Sequence, residues 1–177
     1  AEAFGTLAEL YPERIDLGLG RAPGTDQITM RALRRDRPET EADFPREISE
    51  LQQLLGPRQP GQRVIAVPGT GTEVPIWLLG SSLFSARLAA ERGLPYAFAS
   101  HFAPAMLLQA ITVYRSNFRP SAKLAKPYVI IGAPLIAAAT DDEAEYLASS
   151  TYQRILGILT GDRRCLPPPE ANYMNSL

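Results

Sequence analysis

The stretch RIDLGLGRAPGTD at positions 14–26 decides how this chain is interpreted. Its first half is an apolar run interrupted by glycine, which is typical of a buried strand in a parallel sheet. Its second half changes to small residues and the guanidinium of Arg21. The stretch PIWLLGSSLFSA at positions 75–86 follows the same order, with hydroxyls where the strand gives way to a helix. Because parallel strands end at one edge of a sheet, where helix N-termini attract anions, the two stretches predict a phosphate site.

The composition is that of one ordinary globular domain. The chain has 177 residues, of which 45% are hydrophobic, and a formal net charge of -1. A charge this close to neutral gives no electrostatic basis for binding nucleic acid or an anionic membrane surface. With one cysteine, Cys165, and one histidine, His101, the chain has neither an internal disulfide nor a Cys- or His-rich metal site. No apolar run reaches the roughly 18 residues of a membrane span, so we expect a cytoplasmic protein.

Apolar runs alternate with helical stripes along the chain. Connections between the runs are too long for hairpins, which predicts an α/β fold with a parallel sheet and right-handed crossovers. Ser82 and Gly93 are expected to begin and end one helix, and Thr140 to open another through a capping box. Residues 21–40, rich in Gly, Pro, Arg and Asp, are expected to form a long loop. Buried strands are predicted near 15–19, 76–79, 96–99 and 128–137.

The residues of the predicted phosphate site each have a simpler interpretation. Ser81 and Ser82 lie where the free N–H groups of a helix point outward, and Ser85, about one turn further on, is expected to face the same way. The three hydroxyls therefore suit a phosphate, but Ser82 could merely cap the helix. Arg21 follows a buried strand, where its charge needs a partner, and a carboxylate at Asp16 or position 26 would serve as well as a phosphate.

His101 and the glycines near position 20 are further candidates for functional residues. His101 follows the third predicted strand and therefore lies at the same sheet edge, where an imidazole could be catalytic or simply solvated. Gly18, Gly20 and Gly24 suggest a dinucleotide-binding fingerprint. Their spacing is wrong, Pro23 interrupts it, and no helix is predicted to follow. A nucleotide-dependent dehydrogenase is therefore the weakest interpretation.

Several of these stretches resemble the bacterial luciferase-like flavin monooxygenases, over nearly the whole chain up to about Gly161. The similarity is carried by ERIDLGLGRAPG at 13–24, VPIWLLGSS at 74–82 and AAERGLPY at 89–96. FASHFAP at 98–104 fits best the subgroup of small single-component members. The resemblance implies a (β/α)8 TIM barrel that uses reduced flavin mononucleotide (FMN), or in some branches a deazaflavin, to insert oxygen from O2 into a small organic substrate.

The resemblance also assigns roles to individual residues. Arg21 matches the arginine that contacts the flavin phosphate, and Ser81, Ser82 and Ser85 match the turn that completes that phosphate site. Gly20 matches the position beside the reactive edge of the flavin ring. The resemblance leaves the catalytic residue unknown and implies no metal; His101 is a candidate because of its place at the sheet edge.

The chain departs from the family pattern at both ends. Residues 1–177 are expected to form a single luciferase-like domain that lacks the N-terminal strands and the last strand of the barrel, a partial (β/α)8 barrel of about four strands. Such a sheet exposes its edges, which favours a homo-oligomer. We therefore expect a luciferase-like flavin-dependent monooxygenase or a fragment of one, which need not be active alone. The alternative is a non-catalytic flavin-binding or subunit-like relative.

Overall fold

The computed structural model describes residues 1–21, 27–32, 43–101, 103–162 and 165–176. The chain divides into two compact units, Ala1–Gly132 and Ala133–Leu177. In the part of the chain that the structure describes, no helix combines the length and apolar character needed to cross a membrane.

The first unit is built on one parallel sheet. Four strands pair in the order β1-β2-β3-β4, so each strand lies beside the next one along the chain. This confirms the predicted α/β fold of consecutive parallel strands alternating with helices. The strands are β1 (Leu17–Gly20), β2 (Ile76–Gly80), β3 (Tyr96–Phe98) and β4 (Val129–Ile131).

Six α-helices lie within the described ranges. Five belong to the first unit and one to the second, and short 3-10 turns at Pro104–Met106 and Tyr173–Ser176 accompany them. The helices are α1 (Glu2–Leu10), α2 (Gln27–Ala32), α3 (Asp43–Leu55), α4 (Leu83–Arg92), α5 (Leu107–Asn117) and α6 (Asp141–Thr160).

Two predicted elements were wrong. The expected loop at 21–40 contains α2, because its six residues include neither glycine nor proline to prevent a short helix. Residues 22–26 and 33–40 of the expected loop lie outside the described part of the chain. The expected strand at 128–137 is only three residues long. Gly132 follows β4 directly, and Pro134 has no N–H to donate to a strand ladder, so apolar composition alone does not extend the strand.

One face of the sheet is covered by helices. Side chains that alternate along β2 and β3, such as Leu78, Tyr96 and Phe98, are buried at 0–2% exposure. They join one core cluster with Ile48 of α3 and with small residues of α4 such as Ala89. The other face carries the intervening side chains and is partly open to solvent. There Leu79 and Ile130 are 39% and 48% exposed.

The second unit contains α6 and the segment that follows it. The Thr140 side chain accepts a hydrogen bond from the Glu143 N–H at 3.2 Å, as predicted. The Glu143 carboxylate accepts from the Ala139 N–H, also at 3.2 Å, one residue before the expected donor. The Ser149 hydroxyl accepts from the Glu170 N–H at 2.7 Å and so ties the C-terminal segment to α6.

A buried tyrosine fastens α5 to the amino ends of two strands. The Tyr114 hydroxyl lies 2.9 Å from the Leu94 carbonyl oxygen and 3.3 Å from that of Tyr128, and it accepts from the Tyr128 N–H at 3.2 Å. The side chain is 0% exposed. Burial raises the pKa of the Tyr114 phenol above its usual value of 10.0, so it remains a donor at neutral pH.

We expect Tyr114→Phe to lower the free energy of unfolding at pH 7 by about 1–3 kcal/mol, because it leaves buried backbone groups unpaired. Urea denaturation followed by circular dichroism measures this. The raised pKa adds a second signature. Below pH 10 the Tyr114 phenol is protonated in both the folded and the unfolded wild-type protein. Above pH 10 it ionises first in the unfolded protein, so the free energy of unfolding falls. That fall is smaller in Tyr114→Phe.

Tyr11→Phe is the matched control, because the Tyr11 ring is 49% exposed. Its unfolding free energy should stay within about 0.5 kcal/mol of wild type. A Tyr114→Phe chain as stable as the control would contradict the role given to the buried hydroxyl.

Candidate functional site

The pairing of β1 with β2 brings the two singled-out stretches together. Gly20 stands opposite Leu79 in the parallel register, so Arg21 leaves β1 beside the end of β2. The guanidinium carbon of Arg21 lies 4.5 Å from the centroid of the Phe84 ring, within cation–π range. Phe84 is the second residue of α4. The positive charge of Arg21 is therefore held against the first turn of α4. Of the two acids considered as partners of Arg21, position 26 lies outside the described residues, and Asp16 lies at the amino end of β1.

The turn between β2 and α4 exposes its serines. Ser82 occupies the N-cap position with extended backbone (φ −129°, ψ 162°), and its side chain makes no capping hydrogen bond. The hydroxyl therefore does not serve as the cap that the simpler interpretation required. Ser81 and Ser82 are both exposed. The first N–H groups of any α-helix lack intrahelical partners, so this turn presents donors and the positive end of the helix dipole.

Ser85 lies on the same turn but points inward. Its side chain is 5% exposed, and its hydroxyl donates to the Ser82 carbonyl at 2.9 Å. The Tyr96 hydroxyl lies 3.2 Å away on its other side. The expectation that Ser85 faces outward with Ser81 and Ser82 is therefore wrong, because its proton is directed at the Ser82 carbonyl. Its contact with a phosphate stays a prediction.

Glycine is required where β2 ends. A Cβ atom at Gly80 would lie 2.6 Å from the Ser85 Cβ and still closer to the Ser85 hydroxyl oxygen. Gly20, at the corresponding end of β1, differs, because a Cβ there would meet only Leu79 atoms at 3.7 Å. The close packing of the β2 end against α4 therefore depends on Gly80.

His101 lies at the same sheet edge but on other strands. It follows β3, and a Cβ at Gly132 would come within 2.8 Å of its Nδ1 atom, so the imidazole rests against the end of β4. The preceding Ser100 hydroxyl donates to the Gly132 carbonyl. The structure therefore separates the predicted residues into a group on β1, β2 and α4 and a single His101 beside β4.

Two residues near the turn were missed by the sequence reasoning. Phe84 and Tyr96 are aromatic residues at positions that a core would also use. No feature of the sequence distinguished Phe84 from a core residue. A weak signal did exist for Tyr96, since a tyrosine in a buried strand needs a partner for its hydroxyl. Burial raises the pKa of Tyr96, an effect that the Ser85 hydrogen bond partly opposes, and the phenol stays protonated at neutral pH.

Several acidic residues lie at the opposite edge of the sheet. A cavity at the amino ends of β1 and β2 has Glu9, Glu13, Asp16 and Glu73 among its lining residues. Glu73 also forms an ion pair with Lys123 at 2.9 Å. Within the described part of the chain, no group of three or more His, Cys, Asp or Glu residues could hold a metal ion. An anion is thus favoured at the carboxyl edge and disfavoured at the amino edge.

Comparison with known proteins gives a consistent result. The sequence profile of the family described as "Luciferase-like monooxygenase" matches residues 1–164. A protein of that name from Escherichia coli (strain K12) is 55% identical over 172 residues, which are 97% of this chain and 51% of the relative. The protein YvbT from Bacillus subtilis (strain 168) is 55% identical over 170 residues, which are 96% of this chain and 50% of YvbT.

A solved structure extends the comparison to the fold. The crystal structure of apo-MsnO8 matches this chain with a TM-score of 0.84 at 36% sequence identity, over 95% of this chain and 50% of that one. The predicted partial (β/α)8 barrel is confirmed. The chain spans about half the length of the curated relatives it matches.

We expect Gly80→Ala to destabilise the first unit by about 1–3 kcal/mol, as overpacking does in a close-packed interior. Gly20→Ala is the matched control at the neighbouring strand end, and it should cost less because its Cβ has room. Urea denaturation of both variants measures the difference. Equal losses of unfolding free energy would contradict the close contact between Gly80 and Ser85.

Proposed function

Because the chain belongs to the luciferase-like monooxygenase family, we propose that it contributes the phosphate site of a flavin-dependent monooxygenase that uses reduced FMN. The observation that carries this is the Arg21 guanidinium held against the first turn of α4, 4.5 Å from the Phe84 ring. A guanidinium, a helix N-terminus and exposed serine hydroxyls together match the charge and hydrogen-bonding needs of a phosphate monoester.

The residues fit FMN at the phosphate end. Arg21 would neutralise phosphate charge, while Ser81 and Ser82 would donate hydrogen bonds from the turn. Ser85 would also donate to the phosphate if its hydroxyl proton turned away from the Ser82 carbonyl. Gly20 would leave space for the ring beside β1, since it has no side chain there. A deazaflavin could use the same phosphate contacts, because the phosphate site does not contact the part of the ring in which flavin and deazaflavin differ.

The proposed reaction divides between the cofactor and the protein. When bound, reduced flavin supplies the two electrons that allow one atom of O2 to enter an organic substrate while the other leaves as water. This chain's residues bind the phosphate and so fix the orientation of the ring. His101, at the same sheet edge, is proposed as the group able to hold or move a proton near the substrate.

We also propose the cytoplasm as the location of the protein, in keeping with an exposed free thiol at Cys165.

Oxygen consumption tests the enzymatic part of the proposal. The protein, supplied with FMN and a chemical or enzymatic source of reducing equivalents, should consume O2 faster than free reduced flavin in the presence of an accepted substrate. FMN binding without any such acceleration would favour a non-catalytic flavin-binding role.

We expect Arg21→Ala to weaken FMN binding by about ten- to a hundredfold, since a hydrogen bond to a charged group contributes about 1.5–3 kcal/mol. Riboflavin binding should change little, because riboflavin has no phosphate. Titration of flavin fluorescence with protein gives both dissociation constants.

Arg14→Ala is the matched control. Arg14 also lies over an aromatic ring, 5.7 Å from the Tyr11 centroid, but it precedes β1 and so belongs to the other sheet edge. It should leave both dissociation constants unchanged. Equal weakening of FMN and riboflavin by Arg21→Ala would count against a phosphate contact.

We further propose that the chain forms a homo-oligomer through the open side of its sheet. Tyr128, Ile130 and Ile131 are 56%, 48% and 50% exposed around the edge strand β4. Unpaired strand edges and contiguous apolar side chains favour association.

Size-exclusion chromatography with light scattering should therefore give a mass of at least two chains. Ile130→Lys should shift the mass toward one chain. Leu108→Lys, at a 78% exposed position on α5, should not. A monomer at micromolar concentrations in the unmodified chain would contradict this proposal.

A further inference from the structure

Three oxygen atoms meet behind the turn between β2 and α4. The Ser85 hydroxyl donates to the Ser82 carbonyl at 2.9 Å. The Tyr96 hydroxyl lies 3.3 Å from the same carbonyl and 3.2 Å from the Ser85 hydroxyl. Each pair is within hydrogen-bond distance, and both side chains are buried, Tyr96 at 0% and Ser85 at 5% exposure.

The three atoms have more acceptor sites than protons. Ser85 and Tyr96 each carry one hydroxyl proton, while the carbonyl can only accept. In one arrangement Ser85 donates to Ser82 and Tyr96 donates to Ser85. In the other, Tyr96 donates to Ser82 directly, and the Ser85 proton is free to turn toward another acceptor. The distances allow both arrangements without movement of the backbone.

The second arrangement matters for an anion. A phosphate oxygen accepts hydrogen bonds, so Ser85 can contact it only by donating its single proton. Without Tyr96, that donation would leave the Ser82 carbonyl with only the Ala86 N–H, at 3.4 Å. The Ser82 carbonyl is part-buried, and the loss of one of its two partners would oppose the contact.

We propose that Tyr96 is a positioning residue of the anion site. Its hydroxyl donates to the Ser82 carbonyl, in place of the Ser85 hydroxyl, when Ser85 donates to a phosphate. This inference rests on the proposed phosphate site. Tyr96 itself does not touch the ligand. Its effect passes through the Ser82 carbonyl, which fixes the turn, and through the Ser85 hydroxyl, which Gly80 allows to lie against the end of β2.

Tyr96→Phe tests this role. It removes one hydroxyl and keeps the ring that packs against Phe98 and Tyr114. Dissociation constants for oxidised FMN and for riboflavin, measured by flavin fluorescence, give the preference for the phosphate-bearing ligand. We expect Tyr96→Phe to lower that preference by about three- to tenfold, the range for one lost hydrogen bond. Riboflavin affinity should stay within a factor of about two, since no phosphate contact is at stake.

Tyr114→Phe is the matched control. It also removes a hydroxyl from a fully buried tyrosine that bonds to backbone carbonyls, but those carbonyls belong to Leu94 and Tyr128, at the amino ends of β3 and β4. A purely structural effect would lower stability in both variants and leave the FMN preference alike in both. The proposal requires that only Tyr96→Phe loses preference.

Ser85→Ala is a second test that does not require Tyr96→Phe to fold, because it must lower the FMN preference by itself. Where Tyr96→Phe does fold, it must add little in the Ser85→Ala background, since both substitutions act through the same proton. An unchanged preference in Ser85→Ala overturns the proposal, and so do fully additive losses.

The outcomes also separate this inference from the proposed function. If Arg21→Ala abolishes the FMN preference while Tyr96→Phe retains it, the phosphate site stands and the role of Tyr96 is wrong. If the unmodified chain binds FMN and riboflavin equally, the phosphate site is wrong, and the role of Tyr96 falls with it.

Discussion

The parallel pairing of β1 with β2 is the constraint on which the candidate site depends. With Gly20 opposite Leu79, both strands end at the same edge, and the residue after each strand enters the same region. Arg21 can then lie over Phe84 in the first turn of α4, although 62 residues separate the two along the chain. A shift of the register by one residue would reverse the facing of β1 side chains and move Arg21 away from the turn.

The direction of the strands also sorts the charges of the first unit. The carboxyl edge holds the Arg21 guanidinium, the N-terminus of α4 and exposed serine hydroxyls, all suited to an anion. The amino edge holds a cavity with four acidic residues among those that line it. In a parallel sheet with returning helices, helix N-termini gather at the carboxyl edge, so backbone dipoles and side chains reinforce each other there. This is why a phosphate is expected at one edge and not at the other.

Sequence patterns predicted the frame of the molecule better than its details. The four strands, the helix between Ser82 and Gly93 and the cap at Thr140 followed from apolar runs and capping residues, which act locally. The short β4 and the helix α2 did not, because apolar content does not fix where a strand stops and polar content does not exclude a short helix. The roles of Phe84 and Tyr96 depend on contacts between elements far apart in the chain. Ser85 could be identified as part of the turn, but its inward hydrogen bond could not.

A crystal structure of the chain in complex with FMN tests the phosphate site most directly. We expect electron density for the phosphate between the Arg21 guanidinium and the N-terminus of α4, with the Tyr96 hydroxyl bonded to the Ser82 carbonyl. A phosphate bound elsewhere, for example away from α4 with Arg21 directed to a protein carboxylate, would contradict it.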